Sequence, residues 1–132
     1  MLRAALFSSV VLVSAMLAGC TMGEPASPEG AWRVVALDGT SIEPADDVTL
    51  TLQDGQASGR SGCNRYSGSY TVEDGFAFGA LASTRMACRG RGGEIEAQFN
   101  TIVDQVNGWR LDNGVLELLD GERAVLRAVL EP

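Results

Sequence analysis

Short runs in which apolar and polar residues alternate occupy most of the chain after residue 30. In one run, Val48, Leu50 and Leu52 point one way while the intervening threonines point the other. A period of two is typical of antiparallel strands with one buried face. Similar alternation covers residues 32–36, 66–72, 116–118 and 124–130. The pattern predicts a sheet of short antiparallel strands.

Asp-Gly and Asn-Gly pairs separate these runs. Such pairs tolerate the positive φ angles of two-residue hairpins, whose twist matches that of the flanking strands. Consecutive strands joined by tight turns form an antiparallel meander. The six pairs begin at Asp38, Asp54, Asp74, Asn107, Asn113 and Asp120.

One segment follows a helical period instead. Its apolar residues, spaced as one face of a helix, are Ile95, Phe99, Ile102, Val103 and Val106. Glu94 and Glu96 favour the positive end of the helix dipole, and Gly108 is the predicted stop. We therefore expect a mainly β (α+β) fold, in which one amphipathic helix packs a curled or barrel-like sheet.

The first twenty residues have a different character. Arg3 precedes an apolar stretch, residues 4–17, that is shorter than the ~20 residues needed to cross a bilayer. Leu17-Ala18-Gly19-Cys20 then resembles a bacterial lipoprotein signal. That resemblance implies removal of residues 1–19 and attachment of acyl chains such as palmitate to Cys20. The alternative is an ordinary signal peptide with Cys20 as a plain thiol.

Lipidation would fix the domain organisation and the location. Residues 20–29 contain Gly, Ser and two prolines without apolar periodicity, and we interpret them as a flexible tether. Residues 30–132 are enough for a single domain, which we expect to be monomeric. Two or more acyl chains hold a protein stably on a membrane. Because Thr21 rather than Asp follows Cys20, we expect a periplasm-facing protein on the outer rather than the inner membrane.

Charge and composition exclude several classes of function. Net charge is −7, and it would become −8 once Arg3 leaves with the leader. An acidic chain is a poor partner for nucleic acid, whose binding depends on basic residues. The chain has no histidine, the commonest general base and zinc ligand. We expect no enzymatic activity, metal or cofactor; the nearest carboxylate pair, Asp46-Asp47, fits a solvated loop.

Two boxes carry a family resemblance. Ser61-Gly62-Cys63-Asn64-Arg65-Tyr66-Ser67-Gly68 is followed by Thr84-Arg85-Met86-Ala87-Cys88. Together they resemble the META-domain family, whose bacterial members include heat-shock lipoproteins of the HslJ type. The resemblance implies a β-rich fold, an envelope location and a link to stress tolerance, but no catalytic residues. The matching box residues are Gly62, Cys63, Asn64, Tyr66, Gly68, Thr84, Arg85, Met86 and Cys88.

If Cys20 is lipidated, Cys63 and Cys88 remain as an even pair in an oxidising compartment. A disulfide between them would stabilise the fold by roughly 3–3.5 kcal/mol in the chain-entropy model. Two buried free thiols and a redox-active pair are the alternatives. Asn64 is expected to cap or turn the backbone beside Cys63 rather than to contact a ligand. Gly62 and Gly68 suit a bulge or a close backbone approach.

Residues 60–91 are locally basic, with five arginines against only two carboxylates. Guanidinium groups bind phosphate and carboxylate bidentately, so this patch could receive an envelope protein or an anionic envelope component. The alternative is internal ion pairing that only balances charge. The arginines are Arg60, Arg65, Arg85, Arg89 and Arg91.

Three functions remain open at this point. The first is a non-catalytic envelope lipoprotein that binds or protects other components under stress. The second is a carrier of small ligands inside a barrel, which needs a large apolar cavity. The third is an enzyme of unknown reaction.

Overall fold

The computed structural model describes residues 26–132; the predicted leader, Cys20 and the first half of the predicted tether lie outside this range. A short 3-10 helix covers Pro44–Asp46. The other elements are β1 (Gly30–Leu37), β2 (Thr40–Ser41), β3 (Thr49–Gln53), β4 (Gln56–Arg60), β5 (Arg65–Thr71), β6 (Ala77–Phe78), β7 (Ala82–Ser83), α1 (Arg91–Gln105), β8 (Gly108–Asp112), β9 (Val115–Asp120) and β10 (Arg123–Leu130).

Within residues 26–132, ten strands form one antiparallel sheet. Its order is β6-β5-β4-β3-β1-β10-β9-β8, with β2 also paired to β1 and β7 to β5. Neighbours in the sheet are mostly neighbours in sequence, as in a meander; the exception is β1, which lies between β3 and β10. The prediction of a mainly β fold with one helix is confirmed.

The sheet is curled but not closed. Its first and last strands, β6 and β8, do not pair with each other. Their N-terminal flanks nevertheless meet, because the backbone N–H of Phe76 donates to the carbonyl of Asn107 at 3.1 Å. The barrel-like shape therefore comes from curvature and one inter-edge hydrogen bond rather than from a complete ladder.

Two β-bulges interrupt the predicted alternation. In β1 the register shifts between Val34 and Ala36, so that Leu37, rather than Ala36, is completely buried. In β10 the shift between Ala124 and Leu126 leaves Val125 buried as well. A bulge inserts one unpaired residue and reverses the facing of the strand residues beyond it. Strict alternation was therefore wrong at these two places.

The predicted turns are mostly correct. Asp38, Asp54, Asp74 and Asn113 each take positive φ together with the glycine that follows. The prediction of a hairpin turn at Asn107-Gly108 was wrong, because this pair lies where α1 connects to β8. Asp120 ends β9, and the positive φ at that hairpin belongs to Gly121.

Helix α1 lies against the inner face of the sheet through Ile95, Phe99 and Ile102. It begins after Gly90, whose φ of 68° suits glycine. The predicted stop at Gly108 was wrong. Val106 already has an extended backbone (φ −65°, ψ 130°), which lets its side chain stay buried while the chain turns into β8.

The core between α1 and the sheet is filled by side chains. Trp32 belongs to it and donates its indole N–H to the carbonyl of Pro28 at 2.8 Å, so contacts with the domain begin inside the predicted tether. Val72 and Leu130, at the ends of two predicted strands, are instead exposed. Among the residues described, no helix combines the length and apolarity needed to cross a bilayer.

Candidate functional site

The two sequence boxes meet beside the start of α1. Cys63 lies in the loop between β4 and β5, and Cys88 lies just before α1. Their Cα atoms are 6.2 Å apart and a disulfide joins them, in agreement with the predicted pairing. The second box, Thr84 to Cys88, has no regular secondary structure. The disulfide joins it to the loop between β4 and β5.

Asn64 is buried and is the centre of a partly buried hydrogen-bond network next to this disulfide. Its Oδ1 accepts from the backbone N–H of Met86 at 2.7 Å and from the Thr84 hydroxyl at 3.0 Å. Its Nδ2 donates to the Met86 carbonyl at 3.4 Å and to Glu96 at 3.3 Å. The predicted local cap was wrong: the side chain bonds to residues 20 to 32 positions away.

Ser61 and Glu96 complete the network. The Ser61 hydroxyl and the Asn64 backbone N–H both donate to the Glu96 carboxylate. Ser61 is 1% exposed and Glu96 is half-buried, so this bond is partly shielded from water. Sequence reasoning assigned Glu96 only to the helix dipole and missed this role. The one feature of the sequence that could have indicated this role is the position of Glu96, directly after the core residue Ile95 on the predicted helix.

Tyr66 and the box glycines also have structural contacts. The Tyr66 ring packs on Phe99 with centroids 4.8 Å apart, and its hydroxyl donates to the Thr49 carbonyl at 2.6 Å. Burial raises the pKa of this phenol. A Cβ on Gly62 would lie 2.8 Å from the Ile95 side chain, and one on Gly68 would lie 2.4 Å from the Ala80 carbonyl. Both glycines therefore allow close approaches.

The second box presents its side chains to solvent. Thr84 anchors it to β5, because the Thr84 N–H donates to the Arg65 carbonyl and the Arg65 N–H donates to the Thr84 hydroxyl. Arg85 is exposed, and Met86 is 61% exposed although its backbone is held by Asn64.

In the described part of the chain, two of the five arginines in the predicted patch form ion pairs, and three do not. Arg60 pairs with Asp47 and Arg91 with Asp46, each at 2.7 Å. Arg65, Arg85 and Arg89 form no ion pair within residues 26–132.

Asp46 and Asp47 lie at the end of the 3-10 helix, where they form the ion pairs with Arg91 and Arg60. Hydrogen bonds from the Arg91 guanidinium and from the Glu43 backbone hold the pKa of Asp46 at about 2. Asp47 takes positive φ. Each carboxylate pairs with one arginine, so the two acids balance the charge of Arg60 and Arg91.

A groove of about 610 Å³, lined by both polar and apolar atoms, lies on the outer face of the sheet, opposite α1. We call it the β4–β5 groove. Arg60 and Arg65 are direct cross-strand partners within it, and Ser58 and Ser67 are partners two residues further along. Its lining residues are Thr49, Ser58, Gly59, Arg60, Arg65, Tyr66, Ser67, Ala82, Ser83 and Thr84.

A second charged cluster lies across strands β8, β9 and β10. Glu117, with a side chain 6% exposed, accepts from Arg110 at 3.0 Å and from Arg127 at 3.1 Å. The Arg110 bond lowers the pKa of Glu117; burial opposes this effect and the Arg127 bond adds to it. The single carboxylate of Glu117 is shared by two arginines, so the cluster keeps a formal charge of +1.

These features define a small antiparallel β module whose two cysteine-containing boxes are joined by a disulfide and an asparagine network. A META domain model matches residues 26–132, and the chain belongs to the META-domain family. No curated protein sequence is significantly similar to it.

Two structures determined by NMR share the fold. A protein from Burkholderia xenovorans is 29% identical, with a TM-score of 0.61 over 83% of this chain and 94% of that chain. A second protein is 19% identical, with a TM-score of 0.61 over 77% of this chain and 89% of that chain.

Proposed function

We propose that this META-family protein is a lipid-anchored module of the bacterial envelope that binds or protects other envelope components under stress, without catalysis. The observation that carries the proposal is Leu17-Ala18-Gly19-Cys20 directly after a short apolar stretch. Acyl chains on Cys20 would place the domain at a periplasm-facing membrane surface, with the outer membrane favoured.

The domain's interior supports action through the surface. Helix α1 covers the inner face of the sheet, and core side chains such as Leu50, Phe99 and Leu118 fill the space between them. A carrier needs an open apolar cavity. The small-ligand carrier therefore loses support, and recognition is better placed on the outer face or the exposed second box.

The chemistry of the boxes supports a role without catalysis. Asn64, Ser61 and Glu96 bond to one another, and their polar atoms are used in holding the second box and α1 together. Asp46 and Asp47 are paired with arginines. The groups that could attract a catalytic interpretation have structural partners instead.

Complementation of a deletion strain of the source bacterium tests the proposal. Survival after heat shock is compared for wild type, Cys20→Ala and a matched Cys63→Ala/Cys88→Ala variant, with envelope levels checked by immunoblot. The proposal predicts that wild type restores survival and that Cys20→Ala fails although its domain folds. Full rescue by Cys20→Ala, or no survival defect in the deletion strain, would overturn it.

A further inference from the structure

We infer that the β4–β5 groove binds an anionic group, phosphate or carboxylate, carried on a sugar. The inference rests on the proposed function, in which the protein acts by recognition at its surface, and it names the binding site and the class of ligand. The groove itself can be tested on the purified protein whether or not Cys20 is lipidated.

The charges in the groove are unbalanced. Arg60 and Arg65 are direct cross-strand partners, so their guanidinium groups project from the same face of neighbouring strands. Like charges at this position destabilise a sheet. Asp47 neutralises Arg60, whereas Arg65 has no carboxylate within 4.0 Å among residues 26–132. A bound anion between the two arginines would supply the missing negative charge.

Two hydroxyl groups extend the site beyond the arginines. Ser58 and Ser67 form the next cross-strand pair on the same face. Neither hydroxyl has a hydrogen-bond partner in the part of the chain that the structure describes. A hydroxyl can donate and accept, as sugar hydroxyls also do. The groove thus places two guanidinium groups beside two free hydroxyls, which matches an anionic sugar better than a bare anion.

The backbone beneath the site is rigid. Both backbone groups of Arg65 bond to Thr84, at 3.0 and 3.1 Å. The Arg60 N–H donates to the Thr49 hydroxyl at 3.0 Å. Tyr66, the β5 residue after Arg65, donates its hydroxyl to the Thr49 carbonyl from the core side. Binding a ligand would therefore require little ordering of the backbone, a cost that otherwise weakens affinity.

The acidity of the whole chain limits the kind of ligand. At a net charge of −7 the protein repels a densely charged polyanion such as nucleic acid. Exposed charges more than ~8–10 Å apart are largely screened at physiological salt, so a single anionic group would experience mainly the local arginines. Isolated phosphate or carboxylate groups on sugars fit this balance, and nucleic acid does not.

Titration of the purified full-length protein in detergent micelles, followed by NMR chemical shifts, tests the inference. The probes are glucose 6-phosphate, glucuronate, tri-galacturonate, glucose and inorganic phosphate. The variants are Arg60→Ala/Arg65→Ala, Arg65→Lys and, as the control, Arg89→Ala. Arg89 is an exposed arginine outside the groove, and its loss removes the same kind of charge.

The anionic sugars should shift the resonances of Ser58 and Ser67, and the double variant should bind them at least about tenfold more weakly. Arg65→Lys, which keeps the charge but loses the bidentate fork, should also bind more weakly. Tighter binding of tri-galacturonate than of glucuronate would indicate a polysaccharide source, and equal binding a free sugar acid.

Three results would overturn the inference: no saturable shifts in the groove, equal binding by Arg60→Ala/Arg65→Ala and wild type, or inorganic phosphate binding as tightly as the anionic sugars. Thermal melting is the check that each variant is folded, which we expect because both arginines lie on the surface. Loss of the Cys20 acyl chains would contradict the proposed anchoring but would leave this result unchanged.

Discussion

Asn64 and Glu96 are joined twice, through the backbone N–H and through the side-chain amide of Asn64, at 3.2 and 3.3 Å. The same amide group holds the backbone of Met86. One side chain therefore fastens the first box to both the second box and the helix. The most distinctive polar residue of the motif is explained by the fold rather than by a ligand.

Replacing Asn64 should be costly. Asn64→Ala removes four side-chain hydrogen bonds and leaves part of the Glu96 carboxylate unpaired, so we expect the free energy of unfolding to fall by about 2 kcal/mol. Urea unfolding measures this loss. Asn100→Ala, at an exposed position of α1, is the control. Equal unfolding midpoints for the two variants would show that the network does not stabilise the fold.

The disulfide adds stability by another route. Cys63→Ala/Cys88→Ala opens a loop with a sequence separation of 25, and the chain-entropy model gives a loss of about 3.5 kcal/mol. Because the Asn64 network still holds Met86, we expect the variant to remain folded. Denaturation without reductant, followed by alkylation, should find neither thiol reactive in the wild type. Two alkylated thiols would contradict the pairing.

Much of this architecture could be predicted from period and turn chemistry. Leu50 and Leu52 alternate regularly and are fully buried, and Asp54-Gly55 forms the turn where expected. Bulges such as the one before Leu37 could not be predicted, because a one-residue insertion depends on pairing with strands far away in sequence.

The candidate site was predictable only in part. The paired cysteines indicated that the boxes meet, since a disulfide requires its two cysteines to lie close together in space. The Ser61–Glu96 contact joins residues 35 positions apart and left no periodic signal. The facing of Arg60 and Arg65 depends on the register of β4 and β5, which turn chemistry alone did not specify.

Substitution of a groove arginine should stabilise the fold. Arg65→Thr removes a like charge opposite Arg60 and introduces a residue that favours strands, so the free energy of unfolding should rise by about 0.2–1 kcal/mol. Thermal melting at low salt measures the change, which should shrink at high salt. Arg89→Thr, outside the sheet, should change little. If Arg65→Thr were less stable than the wild type, Arg65 would be a residue that stabilises the fold.

Glu117 should make stability depend on acid pH. Its pKa is lowered in the folded protein, chiefly by Arg110, so its contribution is complete above its ordinary value of 4.5 and disappears as pH falls through the lowered value. Glu117→Gln should cost about 1 kcal/mol at pH 7, because both arginine partners are half-exposed.

Unfolding at pH 7, 4.5 and 3 measures this dependence. The difference in stability between wild type and Glu117→Gln should narrow below pH 4.5. Glu131→Gln, at the exposed C-terminal end, is the control and should follow the wild type throughout. A difference that stays constant with pH would exclude an ionic contribution from Glu117.

The mass of the N-terminal peptide of protein extracted from the membrane fraction tests the central claim most directly. We expect a peptide that begins at Cys20 and carries a thioether-linked diacylglyceryl group, and no peptide from residues 1–19. An unmodified Cys20, or a chain that retains its first nineteen residues, would contradict the proposed anchoring.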